Sequence, residues 1–271
     1  MTAHHYFSSR CSKTLSVVAA ALIYAGLSTV FHPALSQTST SSSELVVEAS
    51  TSLEWDQNKG EYKAIGDASA EQGSQRIDAD TLIARYNPDS DSQDITRIIG
   101  QGNVRFIDAA QRGQGRMLDY DQTNQSYLLN GPGAEIAGPD GVASAQKTIF
   151  YEKSKNMITL NDKAMIILSD GRELFGNRVI VSLDDTQNVV SINAVGEVTV
   201  KQPNGQIATS DKADYDKRAN KAEFSGNVVI TEKDSVLTGE RAEIDFESGI
   251  SKMLSPSEGK RISGRFTSSN K

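Results

Sequence analysis

Beyond position 36 the chain contains neither histidine nor cysteine, because His4, His5, His32 and Cys11 are the complete set and all lie before that point. A Ser-His-Asp triad, a cysteine nucleophile and a typical structural zinc site are therefore closed to that part of the chain. Carboxylates remain. Two Asp or Glu side chains about 5–9.5 Å apart suffice for glycoside hydrolysis, but the acidic residues recur at places that read as a water-facing side. Asp89, Asp91 and Asp94 offer the oxygens that calcium takes from a loop, yet the glycine and terminal glutamate of a dedicated calcium loop are missing there. The expectation is no catalytic residue, no metal and no cofactor. Lys147, Arg178, Lys212 and Arg241 form a recurring basic row. It suits phosphates, but alternation with Glu54, Asp119, Asp214 and Glu243 favours ordinary cross-strand charge pairs.

These residues are placed by a repeat. Ser210-Asp211-Lys212-Ala213-Asp214-Tyr215 overlays Gly239-Glu240-Arg241-Ala242-Glu243-Ile244, and the same template has small anchors at Ser50, Ala79, Gly115, Ala145, Gly176, Ser210 and Gly239. The anchors are separated by 29, 36, 30, 31, 34 and 29 residues, a period of the kind that stacked architectures carry. Three and five places after them come Leu53 and Trp55, Leu82 and Ala84, Leu118 and Tyr120, Thr148 and Phe150, Val179 and Val181, Ala213 and Tyr215, Ala242 and Ile244. A period of two predicts strands with one buried face.

Each unit passes through a polar turn into a second strand. Asp56 to Gly66, Asp121 to Gly131, Tyr151 to Asn161 and Asp216 to Gly226 are each ten apart. The second strands open alike, as Gly102-Asn103-Val104, Gly196-Glu197-Val198 and Gly226-Asn227-Val228. Strand, short turn, strand is the unit, and the fold class is all-β. Apolar alternation shows an inside and does not separate a filled core from a channel that holds something greasy.

Arg10 and Lys13 precede an uncharged run from Leu15 to Phe31, and Ala34-Leu35-Ser36 then meets Gln37. That is the layout of a secretory signal peptide cut after Ser36, with an uncleaved membrane anchor as the competing reading. The expected division is a leader at 1–36, a polar linker at 37–44, a β domain at 45–254 and a disordered basic tail at 255–271. All 35 acidic residues follow the leader and the whole chain has a net charge of −7, which argues against nucleic acid as a partner.

The Gly-Asn-Val starts, together with Leu237-Thr238-Gly239-Glu240-Arg241-Ala242-Glu243-Ile244-Asp245 and Ala213-Asp214-Tyr215-Asp216, resemble the OstA-like (LptA) family. The resemblance covers roughly Leu45 to Leu254. It implies an open, slightly twisted β-jelly roll of antiparallel strands holding the acyl chains of lipopolysaccharide in the periplasm of a Gram-negative bacterium. It further implies head-to-tail homo-oligomers and edge-strand contacts to LptC-like and LptD-like transport components. The inward side chains it assigns to lipid are Leu82, Leu118, Tyr120, Phe150, Val179, Val181 and Tyr215 on first strands. On second strands they are Val104, Phe106, Val198, Val200, Val228 and Ile230. The chain departs from the pattern at Asn161, where glycine is expected, and at Gly131-Pro132-Gly133, which puts the register of Ala134 and Ile136 in question. Two other readings compete: a membrane-tethered LptC-like component of the same machine, and a parallel β-helix that degrades polysaccharide.

Overall fold

The structure is a computed structural model that describes residues 44–89, 93–255 and 262–266. The expected leader, the linker up to residue 43, Asp91 and most of the expected tail lie outside the described residues. Among the described residues the strands run β1 (Val46–Glu48), β2 (Ser52–Asp56), β3 (Glu61–Gln72), β4 (Gln75–Tyr86), β5 (Ile95–Asp108) and β6 (Gln111–Asp121). They continue as β7 (Ser126–Asn130), β8 (Ala134–Gly138), β9 (Gly141–Ala145), β10 (Thr148–Glu152), β11 (Met157–Leu168) and β12 (Glu173–Leu183). The last are β13 (Val189–Lys201), β14 (Ile207–Asp216), β15 (Lys221–Glu232), β16 (Ser235–Asp245), β17 (Ile250–Leu254) and β18 (Ser263–Arg265). The final strand falls in the stretch expected to be disordered and pairs with β16.

All of these strands pair antiparallel, mostly with their sequence neighbours, and this overturns the parallel β-helix reading. Four strands are interrupted into two short pieces: β1 and β2 lie along β3, β7 and β8 along β6, β9 and β10 along β11, and β17 and β18 along β16. With each of those counted once, the described residues form seven consecutive strand pairs, one for each anchor in the sequence.

The glycine echo makes a bend. In β5, Gly102 and Asn103 have φ of +75° and +45°, and the same left-handed pair recurs at Gly66-Asp67, Gly196-Glu197 and Gly226-Asn227. Two residues there oppose one on the next strand, as where Gln101 faces Met117 and Val104 faces Gly115. Such a bulge bends the strand. A Cβ at Gly102 would lie 2.1 Å from Asp80 Oδ2, so the position needs glycine for space as well as for φ. Asn103 then donates its side-chain amide to Asp80, and Asn227 does the same to Asp211, tying the bend to the preceding strand.

At the other end of each unit the repeated aspartate closes the turn. Asp56, Asp121, Asp216 and Asp245 accept the backbone N–H three residues on, at 3.1, 2.9, 2.9 and 2.9 Å. The Asn124 N–H first of all holds the Asp121 carboxyl below its ordinary range, and the Ser248 N–H does so for Asp245. The ten-residue spacing thus joins a capped turn to a bulge.

Parity fails in one unit. Ile149 and Tyr151 are buried, whereas Thr148 and Phe150 face outward, so the inward assignment of Phe150 is corrected. The reason is one additional residue. In β12 the buried Gly176 is followed three places on by buried Val179, but in the β9–β10 strand Ala145 is followed four places on by Ile149. The facing bulge slides with it. Asp162 (φ +67°) and Lys163 (φ +46°) take the left-handed places, so the glycine-like position is Asp162 and not Asn161. Ala134 and Ile136 are buried despite the Gly131-Pro132-Gly133 interruption.

The expected charge pairs also need correction. Of the basic row, Arg241 has a carboxylate within reach (Glu223, 3.5 Å), while among the described residues Lys147, Arg178 and Lys212 form no ion pair. Arg178 stands opposite Asn161 and Val195, and Lys212 opposite Val195 and Ser225, so the register supplies them no acid.

Candidate functional site

The line of bulges divides each long strand into two arms. One arm ends at the turns near residues 73, 109, 139, 170, 204 and 233, and the other at the turns near 58, 123, 154, 186, 218 and 247. The arms fold toward each other. Phe106, on the first arm, stacks on Tyr127 of the second with ring centroids 4.6 Å apart, and Tyr127 lies between Tyr120 (4.4 Å) and Tyr151 (5.8 Å). The apolar faces of both arms therefore make one interior, which sequence alternation built strand by strand.

Leu82, Val104, Phe106, Leu118, Tyr120, Val179, Val181, Val198, Val200, Val228 and Ile230 are all buried in that interior, and Tyr215 is half-buried against it. Phe150 is not among them. It forms, with Leu128, the floor of an outer concavity of about 740 Å³ walled by Arg97, Asp119 and Glu152. Leu53 and Trp55 keep inward parity but are 60% and 52% exposed, since no strand among the described residues covers the first strand pair at its free edge. Trp55 stacks on Tyr62 and donates Nε1–H to Tyr86 Oη at 2.8 Å. At the opposite end Met253 is half-buried and Phe266 is 73% exposed.

Pattern reading missed the residues that hold the two rims together. Asp108, wholly buried at the end of β5, accepts Tyr127 Oη–H at 2.9 Å and Lys153 Nζ at 2.8 and 2.9 Å. Gln111 donates to the Gln187 carbonyl at 3.3 Å, and the Ala110 N–H to Gln187 Oε1 at 3.2 Å. Asp140 accepts the Val189 N–H at 2.6 Å and also pairs with Lys217. Arg172 donates to Tyr215 Oη at 2.9 Å and lies over the Phe246 ring at 4.3 Å. Ser251 donates to Gln206 Oε1 at 3.3 Å, while Tyr120 donates to Gln75 Oε1 at 3.4 Å. Each contact joins a turn of one arm to the other arm farther along the chain. The only advance signal is a Gln, Asp or Arg beside each turn of the first arm, indistinguishable in sequence from a solvated turn.

This seam bears on two phenols. Burial first, then the nearby Asp108 charge, pushes Tyr151 up to about 12 and Tyr127 higher still. In the unfolded chain a tyrosine ionises near pH 10. The folded state therefore holds these protons more tightly, and the stability they contribute is complete below about pH 10 and is lost as pH rises through the folded values. In an alkaline titration two phenols should ionise only as the β-sheet circular dichroism collapses. Complete tyrosinate absorbance with the sheet intact would contradict the buried seam.

The sequence profile of the LptA/(LptD N-terminal domain) LPS transport protein family matches residues 47–155 and 165–250, more than half of the chain. The chain belongs to that family. Membership makes it a component of lipopolysaccharide transport. The unmatched stretch 156–164 contains Asp162 and Lys163, where the bulge departs from glycine. Among solved structures, LptH of Pseudomonas aeruginosa, described as the LptA-homologous periplasmic component of the lipopolysaccharide transport device, is 18% identical. The match covers 57% of this chain and 83% of that one, with a TM-score of 0.26. No curated protein matches the chain by sequence.

Proposed function

We propose that this LptA-family chain is a periplasmic bridge between the inner and outer membranes of a Gram-negative cell, exported with removal of residues 1–36, and that it carries the acyl chains of lipopolysaccharide between its two arms. The observation that carries the reading is an apolar interior running through all seven strand pairs, with apolar side chains uncovered at both ends, at Leu53 and Trp55 and at Phe266. Each buried methylene contributes about 0.8 kcal/mol, so several acyl chains are held without any catalytic group. Among the described residues, the first and last strands also have no strand partner on their outer edges. Head-to-tail addition of copies, or of LptC-like and LptD-like partners, would pair those edges and extend the interior across the junction.

A photo-crosslinker at Phe106 or Tyr120 should give lipopolysaccharide adducts, and one at the outward Asp214 should give none. Adducts from Asp214 with none from the two interior positions would sink the reading.

A further inference from the structure

Between its two ends the interior is closely packed. Leu82, Phe106, Leu118, Val179 and Val228 are at most 2% exposed, and two recesses along the interior, one lined by Gln111, Ile136, Ile166 and Val181 and the other by Leu174, Val200, Tyr215 and Phe246, leave room of only about 40 and 30 Å³. A cavity of about 150 Å³ is what admits a single benzene. An acyl chain of a dozen carbons therefore has no room until the arms separate. The bulged side of the fold is continuous sheet held by backbone pairing, so separation occurs where only side chains span the gap, along the seam.

Two of the seam contacts are ion pairs of a particular kind. Asp108 and Asp140 stand on the first arm; Lys153 and Lys217 stand on the second. The carboxylates occupy the places around each ammonium that any oxyanion would fill, and phosphate oxygens are acceptors of the same class with more charge. We infer, building on the lipid-carrying reading, that the seam is the gate by which an anionic amphiphile reaches the interior, and that Lys153 and Lys217 exchange Asp108 and Asp140 for its phosphate groups as the seam parts. The exchange keeps both cations neutralised in the open state while the two carboxylates return to water. The polar headgroup then rests on the parted rim with its acyl chains between the arms.

The test uses the full chain with Cys11→Ser, Gln111→Cys and Gln187→Cys, whose two introduced thiols flank the gap and can be joined by a short thiol-bridging reagent. Bridged protein should take up less than a tenth of the lipopolysaccharide taken up by the same protein unbridged, with unchanged circular dichroism. Equal uptake by the bridged form would overturn the gate, whereas no uptake by unbridged or wild-type chain would overturn the lipid-carrying reading beneath it. Lipopolysaccharide should also slow bridging of the two thiols, and inorganic phosphate alone should not. An equal slowing by phosphate would take the amphiphile out of the inference. For the exchange, Lys217→Met is informative because Lys217 and its partner Asp140 are both partly solvated, so the fold is expected to survive the loss, with unchanged circular dichroism as the check. That variant should bind lipopolysaccharide several-fold more weakly and dephosphorylated lipopolysaccharide as well as wild type does. No loss, or equal loss on both lipids, would refute it.

Discussion

Phe106→Ala should destabilise the chain by about 3–5 kcal/mol, the range for deleting a buried aromatic ring. The ring is 1% exposed and stacks across the arms on Tyr127 at 4.6 Å. Its underside rests on Gly113, where even a methyl group would come within 2.0 Å of the ring. With glycine beneath and a stacked aromatic above, neither neighbour can move in to fill the space left behind. About 0.5–1.5 kcal/mol of the loss belongs to the ring pair itself. Phe150→Ala is the comparison that gives the number its meaning. It removes the same group from the outer face and should cost about 1 kcal/mol or less. Urea unfolding with an unchanged m-value reads both. A larger loss at Phe150 than at Phe106 would reverse inside and outside for the central strands.

That pair of phenylalanines also marks where sequence reading stops. Strand periodicity has only two phases, so counting from Gly176 or Ser210 places Val179 or Ala213 inside correctly, and one additional residue after Ala145 inverts the whole strand. Nothing local announces the insertion, because Thr148-Ile149-Phe150-Tyr151 alternates acceptably in either phase. The compensating shift from Asn161 to Asp162 is equally hidden, since Asp tolerates the left-handed region nearly as Asn does. The bends themselves were legible at Gly102, Gly196 and Gly226, where a residue free of Cβ recurs at a fixed distance from a turn. The seam was not. Gln111 and Gln187 are 76 residues apart, and Lys217 and Asp140 are 77 apart. Such contacts follow from how far the two arms are displaced along the roll, a property of the accumulated strand twist rather than of any one segment. What repeats in sequence is what neighbouring strands require of one another, and the rim contacts join units that are not neighbours.

Lys153→Met should cost about 3–5 kcal/mol, a size unusual for a residue beside a surface turn. The cost arises at its partner. Asp108 is fully buried, and after the substitution its carboxylate keeps Tyr127 Oη and Gln75 Nε2 as neutral donors but loses both contacts to the ammonium. Lys153 itself is 30% exposed, so its own desolvation is modest and most of the loss is the uncompensated charge left behind. If so, removing that charge as well should recover most of the stability. Lys153→Met combined with Asp108→Leu is expected to lie within about 1 kcal/mol of wild type, since replacing both members of a buried pair by apolar groups is often close to neutral. Urea midpoints of the two single variants, the double variant and wild type give the coupling directly. A double variant as unstable as Lys153→Met alone would mean that the lysine acts through its stem against the rim and not through its charge. In that case the ion pair would be dispensable to the closed state, and the seam would be held by its neutral contacts at Gln75, Gln111 and Gln206.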